Sequence, residues 1–120
     1  MSKPQLELAW AAGFFDGEGS TKRIYSHYFT KKGEVRKPAP GVCLSVAQAE
    51  LKPLLRFKKA VGNVGHINGP YSYRSNQRPY WIWSASYKTA REVFGSLKTY
   101  LCPIKKAQYS RVAKGIIYGN

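Results

Sequence analysis

Two carboxylates stand two residues apart in Phe15-Asp16-Gly17-Glu18-Gly19, and their surroundings make them conspicuous. The chain holds 20 Lys and Arg against 6 Asp and Glu, a net charge of +14 on 120 residues. A surface of that sign attracts polyanions. Lys and Arg contacts to phosphate release condensed counterions, which makes nucleic acid the first candidate partner. Carboxylates repel phosphate, so an acid kept beside a polyanion calls for a cation between them. Hard oxygen ligands and phosphate oxygens together suit Mg²⁺, and metal-bound carboxylates next to a phosphodiester supply Lewis-acid stabilisation and an activated water. Glu18 is the stronger ligand of the two, because Asp16 also reads as a helix C-terminal residue bonding local backbone.

The segments that position these acids follow from periodicity. Residues 6–15 (LELAWAAGFF) read as a short helix, with Pro4 and Glu7 suited to its start and Gly17 and Gly19 ending it, so that Glu18 falls just past the helix. Residues 20–30 have a strand composition, 31–40 form a turn-rich connection, and 41–48 alternate Val42, Leu44 and Val46 on one face. This is a long hairpin. Residues 50–61 carry Leu51, Leu54, Leu55, Lys58 and Lys59 at helical spacing, with Pro53 in the first turn. Residues 64–73 and 79–84 make a second strand pair joined by Arg74-Ser75-Asn76-Gln77-Arg78. A third helix over 88–101 places Ala90, Val93, Phe94, Leu97 and Leu101 on one stripe until Pro103 breaks it, and a last helix covers 105–117. The order predicts an α+β fold in one domain, residues 1–120, with a four-stranded antiparallel sheet, helices on one face and the other face free.

Within the first helix, Gly13 and Gly17 lie four apart with Ala9 in line, a face that lets another helix approach backbone to backbone. The alternative is an ordinary core position against the chain's own sheet. The free sheet face is the expected nucleic-acid surface. Lys22, Arg23, Lys31, Lys32, Arg36 and Lys37 put six cations on the first hairpin against Glu34, and Arg74, Asn76, Gln77 and Arg78 at the second tip offer planar groups able to read guanine or adenine.

Other chemistries are set aside. His27 and His66 have no neighbouring Cys or His, and Cys43 and Cys102 sit in apolar settings without redox or zinc spacing, as two buried thiols. No Gly-rich phosphate loop or Ser-His-Asp arrangement is present, so no small-molecule cofactor is expected. Residues 1–8 are polar rather than signal-like, and no apolar run approaches the roughly 18 residues of a membrane span. The expected location is intracellular, cytoplasmic in a prokaryote or phage host or else inside an organelle, without membrane partners.

Residues 11–19 (AAGFFDGEG) resemble the LAGLIDADG motif of homing endonucleases, matching Ala-Gly, two bulky apolar residues, Asp, a small residue, a second acid and Gly. Ala11 stands where the motif has Leu, and Glu18 where it has its second Asp. The element order is similar to that family's αββαββα core, so the resemblance spans nearly the whole chain. It implies a homodimer that hydrolyses both strands of a long, roughly palindromic DNA site. Its metal would be Mg²⁺, with Mn²⁺ substituting and Ca²⁺ supporting binding without cleavage. It implies a dimer interface at Ala9, Ala12, Gly13, Asp16 and Gly17, and metal ligation by Glu18 with Gly17 and Asp16. Gln48, followed by Lys52, resembles the polar and basic pair near the scissile phosphate. Lys105 and Lys106 resemble the active-site lysine, with the choice between them open because Pro103 precedes both. The second reading is a non-cleaving DNA-binding protein, or an intron RNA-splicing maturase, on the same fold.

Overall fold

The computed structural model describes residues 1–26, 33, 39–72, 74–76 and 78–116. The expectations for Lys31, Lys32, Arg36, Lys37, His27 and Gln77 lie outside the described residues. The first helix, α1 (Lys3–Glu18), is longer than its apolar periodicity suggests at both ends. Ser2 caps it: the Ser2 hydroxyl accepts from Gln5 N at 3.3 Å, and the Gln5 side chain accepts from Ser2 N at 2.9 Å. This reciprocal box satisfies two amides of the open first turn, and Pro4 fits there because no intrahelical donor is needed. At the far end the helix runs through Gly17, and Glu18 is its last residue rather than one beyond it. Termination falls at Gly19, which turns extended (φ −82°, ψ 156°) while its N–H still bonds Phe15 O.

Strand β1 (Gly19–Ser26) follows directly and pairs antiparallel with β2 (Ala39–Gln48). After β2 come α2 (Leu51–Ala60), β3 (His66–Tyr71), β4 (Tyr80–Ser86), α3 (Tyr87–Leu97) and α4 (Pro103–Ala113). The sheet order is β1-β2-β4-β3, with every neighbouring pair antiparallel.

Alternation sorts the sheet's two faces. Val42, Leu44 and Val46 are buried, and across the β2–β4 ladder Leu44 opposes Ala85 and Val46 opposes Trp83, both buried. These positions meet the helices. Fully buried Trp83 packs edge-on against Phe57 of α2 (centroids 4.7 Å, 75°) and donates from Nε1 to Val64 O at 3.0 Å, so its one polar atom is satisfied. Phe15 of α1 lies 6.4 Å from Phe57, and Ala90, Val93 and Leu97 of α3 close the same core. Each such large apolar side chain contributes about 1.5–3 kcal/mol on burial. The residues between them in register, Ser20, Lys22 and Ile24 of β1, Gly41, Cys43, Ser45 and Ala47 of β2, and Ile82, Ser84 and Ser86 of β4, point to the opposite, helix-free face.

Several local expectations change. In α2 the core stripe is Leu54 and Phe57, while Leu55 is 51% exposed. The alternation of Leu and Lys hid Phe57, which faces Trp83. Helix α3 stops at Leu97; a turn over 98–100 brings Leu101 into the core from outside the helix. Pro103 does not terminate α3 but opens α4, at a position where its missing N–H costs nothing. Cys43 is buried, whereas Cys102 is half-buried, and both thiols are free. None of the described helices is long and apolar enough to cross a membrane.

Candidate active site

The end of α1 delivers the motif's acids in different directions. Phe15, one turn back, is held in the core; Asp16 is half-buried, and Gly17 and Glu18 are exposed. Glu18 has no hydrogen bond or ion pair with any described residue. Asp16, expected as a ligand and as an interface residue, instead turns inward. Its carboxylate accepts the Cys102 N–H at 3.1 and 3.3 Å, placing a negative charge at the start of α4. An anion there is stabilised by the orphan amides and dipole of the helix. Asp16 thus ties α4 to α1 rather than bonding its own local backbone.

That tie determines which lysine reaches the motif. With Pro103 at the first helical position, Lys105 lies one face away from Lys106, and Lys105 Nζ donates to Gly19 O at 2.6 Å while lying 5.8 Å from the Phe15 ring. Lys106 makes no side-chain bond to the α1–β1 junction. Gly19 allows the approach. A Cβ there would stand 2.3 Å from Phe15 Cδ2, so only glycine lets the chain fold back over the buried ring and present its carbonyl to Lys105.

Register places the remaining candidates. Gly19 opposes Val46, so Gln48, two residues further along β2, lies at the Glu18 end of the sheet. Lys52 is exposed in the first turn of α2, just after Gln48. Gln48 also opposes Trp81, near the start of β4, so the turn containing Arg74 and Asn76 lies at this same end. The first hairpin runs the other way, since β1 leads outward from Glu18. Glu18, Gln48, Lys52 and Lys105 thus share one end of the sheet.

Other expected residues are placed elsewhere. Arg23 opposes buried Val42, which puts it on the helix side, and its Nη1 donates to Val112 O and Lys114 O at 3.4 and 3.5 Å. It neutralises the carbonyl end of α4 instead of standing on the open face with Lys22. Arg78 is exposed but ion-paired with Glu50. Ala12, an expected interface residue, is 0% exposed within the chain's own core. Ala9 is half-buried, and a Cβ at Gly13 or Gly17 would meet no atom within 4 Å, so this side of α1 faces open space. Beside it, Arg56 of α2 stacks 3.9 Å over the Trp10 ring and donates to both Glu7 carboxylate oxygens at 2.9 and 3.0 Å. The hydrogen bond from Arg56 holds the Glu7 carboxyl below its ordinary range.

The sequence reading missed the Gly19 carbonyl, Arg56 with Glu7, and the open-face residues His66 and Asn68. Glycine three residues after the inward-turning Asp16 was a visible signal for the first. The others depend on register, which no local spacing reveals. Chemically, this end of the molecule offers an exposed carboxylate unpaired among the described residues, a lysine tethered to adjacent backbone, and a neutral amide. No described cluster of three or more His, Cys, Asp or Glu encloses a metal within one copy.

No protein-family model and no curated protein sequence matches the chain. Solved structures do. The homing endonuclease I-CvuI, in complex with the I-CreI target and Mg with the DNA not cleaved, superposes with a TM-score of 0.66 at 23% identity, over 89% of this chain and 63% of that one. The archaeal intron-encoded homing endonuclease I-Vdi141I, complexed with DNA, gives 0.64 at 20% identity over 93% and 67%. The LAGLIDADG homing endonuclease I-GzeII, with its DNA target, gives 0.60 at 20% over 89% of this chain and 34% of that one. The chain therefore spans about 63% of the I-CvuI chain. With its helix-hairpin-helix-hairpin-helix order and a single open antiparallel sheet, this chain has the fold of the LAGLIDADG homing endonucleases.

Proposed function

We propose that two copies of this fold assemble through α1 into a site-specific DNA endonuclease that hydrolyses a phosphodiester on each strand with a divalent metal. The observation that carries the proposal is the convergence of Glu18, exposed and without a partner among the described residues, and tethered Lys105 on the α1–β1 junction, beside an α1 face left open at Gly13 and Gly17. The I-CvuI, I-Vdi141I and I-GzeII structures hold DNA, and the net charge of +14 fits the same partner.

The donor set suits a hard cation. One carboxylate per copy, with the Gly17 backbone carbonyl near it, leaves most coordination positions to water and phosphate, as Mg²⁺ prefers. Asp16 is engaged by the Cys102 amide and is therefore no longer proposed as a ligand. Across the two-fold axis Glu18 of each copy would hold the metal, which when bound supplies Lewis-acid stabilisation and lowers the pKa of water. Lys105, already held at the junction by the Gly19 carbonyl, places a positive charge where charge develops on the phosphate, and Gln48 orients water. Lys22, Lys52, Arg74 and Asn76, all exposed, face the duplex, with Lys22 on the helix-free face and the others at the Glu18 end.

The test is conversion of supercoiled plasmid libraries carrying candidate sites to linear product, with Mg²⁺ and with EDTA. Linear product only with the metal supports the enzyme; binding with no nick under any metal supports the non-cleaving reading. In the same assay Lys105→Met should lower the cleavage rate on the order of 10²-fold. Lys106→Met should leave it within a few-fold of wild type; the reverse ranking would reassign the lysine.

A further inference from the structure

The open face of the sheet is uneven in the chemistry it offers. Register aligns transverse rows across it: Ala47, Ile82 and Asn68; then Ser20, Ser45, Ser84 and His66; then Lys22, Cys43 and Ser86; then Ile24 and Gly41. The two middle strands present only Ala39, Gly41, Cys43, Ser45 and Ala47 from β2, and Tyr80, Ile82, Ser84 and Ser86 from β4. None of these carries the amide or guanidinium that reads a base bidentately. The Ser20 and Ser45 hydroxyls are already paired at 2.9 Å. Beyond the Lys22 row, the Tyr87 ring lies over Gly41, where a Cβ would be 2.3 Å away, and Tyr87 holds φ +56° to reach it. A ring held there at the expense of a left-handed backbone makes that part of the floor apolar.

Strand β3 is different. His66 and Asn68 are exposed, alternate onto the open face, and form no side-chain hydrogen bond with any described residue. Their in-register neighbours Ser84 and Ile82 are only half-buried, and a bulge between Asn68 and Tyr71 then breaks the pairing. Asn68 has the donor and acceptor pair that matches adenine, and His66 can donate to a guanine or adenine acceptor.

We propose that Asn68 and His66 are base-discriminating residues of this sheet, and that the duplex next outward, over Lys22, Cys43, Ser86, Gly41 and Tyr87, receives no amide or guanidinium readout from the described residues of the sheet. This rests on the DNA-binding reading above. The four steps along β2 from Cys43 to Ala39 span roughly 13 Å at about 3.3 Å per residue. At roughly 3.4 Å per base pair that is about four base pairs in each half-site. Lys22, a flexible point charge exposed on β1, can serve phosphate there.

The experiment is selection of randomised duplexes by the full chain with Ca²⁺ in place of Mg²⁺, followed by sequencing. Expected are two symmetry-related discriminated blocks near the centre, each followed outward by about four positions that tolerate every base. Asn68→Ala should flatten one or two positions of the discriminated block, cutting preference there about 10–100-fold. Ser86→Arg should create a new preference inside the tolerant stretch. Equal discrimination across that stretch, or an unchanged Asn68→Ala profile, overturns the proposal while leaving DNA binding intact. Absence of any enrichment overturns the DNA-binding reading itself. Both positions lie on the sheet surface, and a thermal melt of each variant confirms folding.

Discussion

Glu18→Gln is expected to reduce cleavage by 10²–10³-fold or more, on the scale of losing one preorganised transition-state contact, while DNA binding is kept or tightened. The substitution keeps size and shape, so α1 and the turn into β1 should be unaffected: Glu18 is exposed and makes no side-chain hydrogen bond or ion pair among the described residues. What changes is charge. A neutral amide is a poor ligand for a hard cation, so at the proposed site the metal would be lost or loosely held, and with it the water it would activate. Removing a carboxylate from the phosphates also removes a repulsion, hence the tighter complex. Gel shift and plasmid cleavage on the same preparations separate the two effects. Asp16→Asn is the informative contrast, because its carboxylate accepts the Cys102 amide; its damage should fall on stability and on Lys105 placement together. Undiminished cleavage by Glu18→Gln would remove Glu18 from the site.

The fold was legible to the extent that its signals are local. Val42, Leu44 and Val46 announced a half-buried strand, and the turn residues around each hairpin gave the element order. The motif's small residues told which side of α1 carries no bulk, and Gly13 and Gly17 do face open space. Where the reading departed, a tertiary contact decided. Ala12 is small like Gly13 but lies on the other side of the helix, inside the core. Arg23 looked like one of a cluster of hairpin cations, yet β-strand alternation assigns it the helix face, where the carbonyl end of α4 takes it up. Lys105 and Lys106 could not be separated without knowing that Pro103 begins the helix and that Asp16 anchors it. Asn68 and His66 gained meaning only when the β3–β4 register aligned them with short neighbours on one face.

The second large effect concerns assembly. Gly13→Leu is expected to leave the chain folded but monomeric and unable to make double-strand breaks. Within one copy the position is permissive, because a Cβ there meets nothing within 4 Å, and leucine replaces glycine inside a helix at a gain of about 0.5–1 kcal/mol in propensity. A loss of function therefore cannot be charged to the fold of the single chain. In the proposed pair, however, the α1 backbones approach across Gly13 and Gly17, and a branched four-carbon side chain from each copy would hold them apart. Both proposed metal sites would then fail together, since in that pair Glu18 of each copy would reach the shared axis only through that contact. Gly95→Leu supplies the control: Gly95 lies on α3, its Cβ position is equally open, and the helix gain is similar. Sedimentation velocity should show Gly95→Leu as a dimer that still cleaves, and Gly13→Leu as a monomer that does not. If Gly13→Leu instead sediments as a dimer and cuts normally, the open face of α1 is not where two copies meet, and Glu18 must find its second carboxylate by another route.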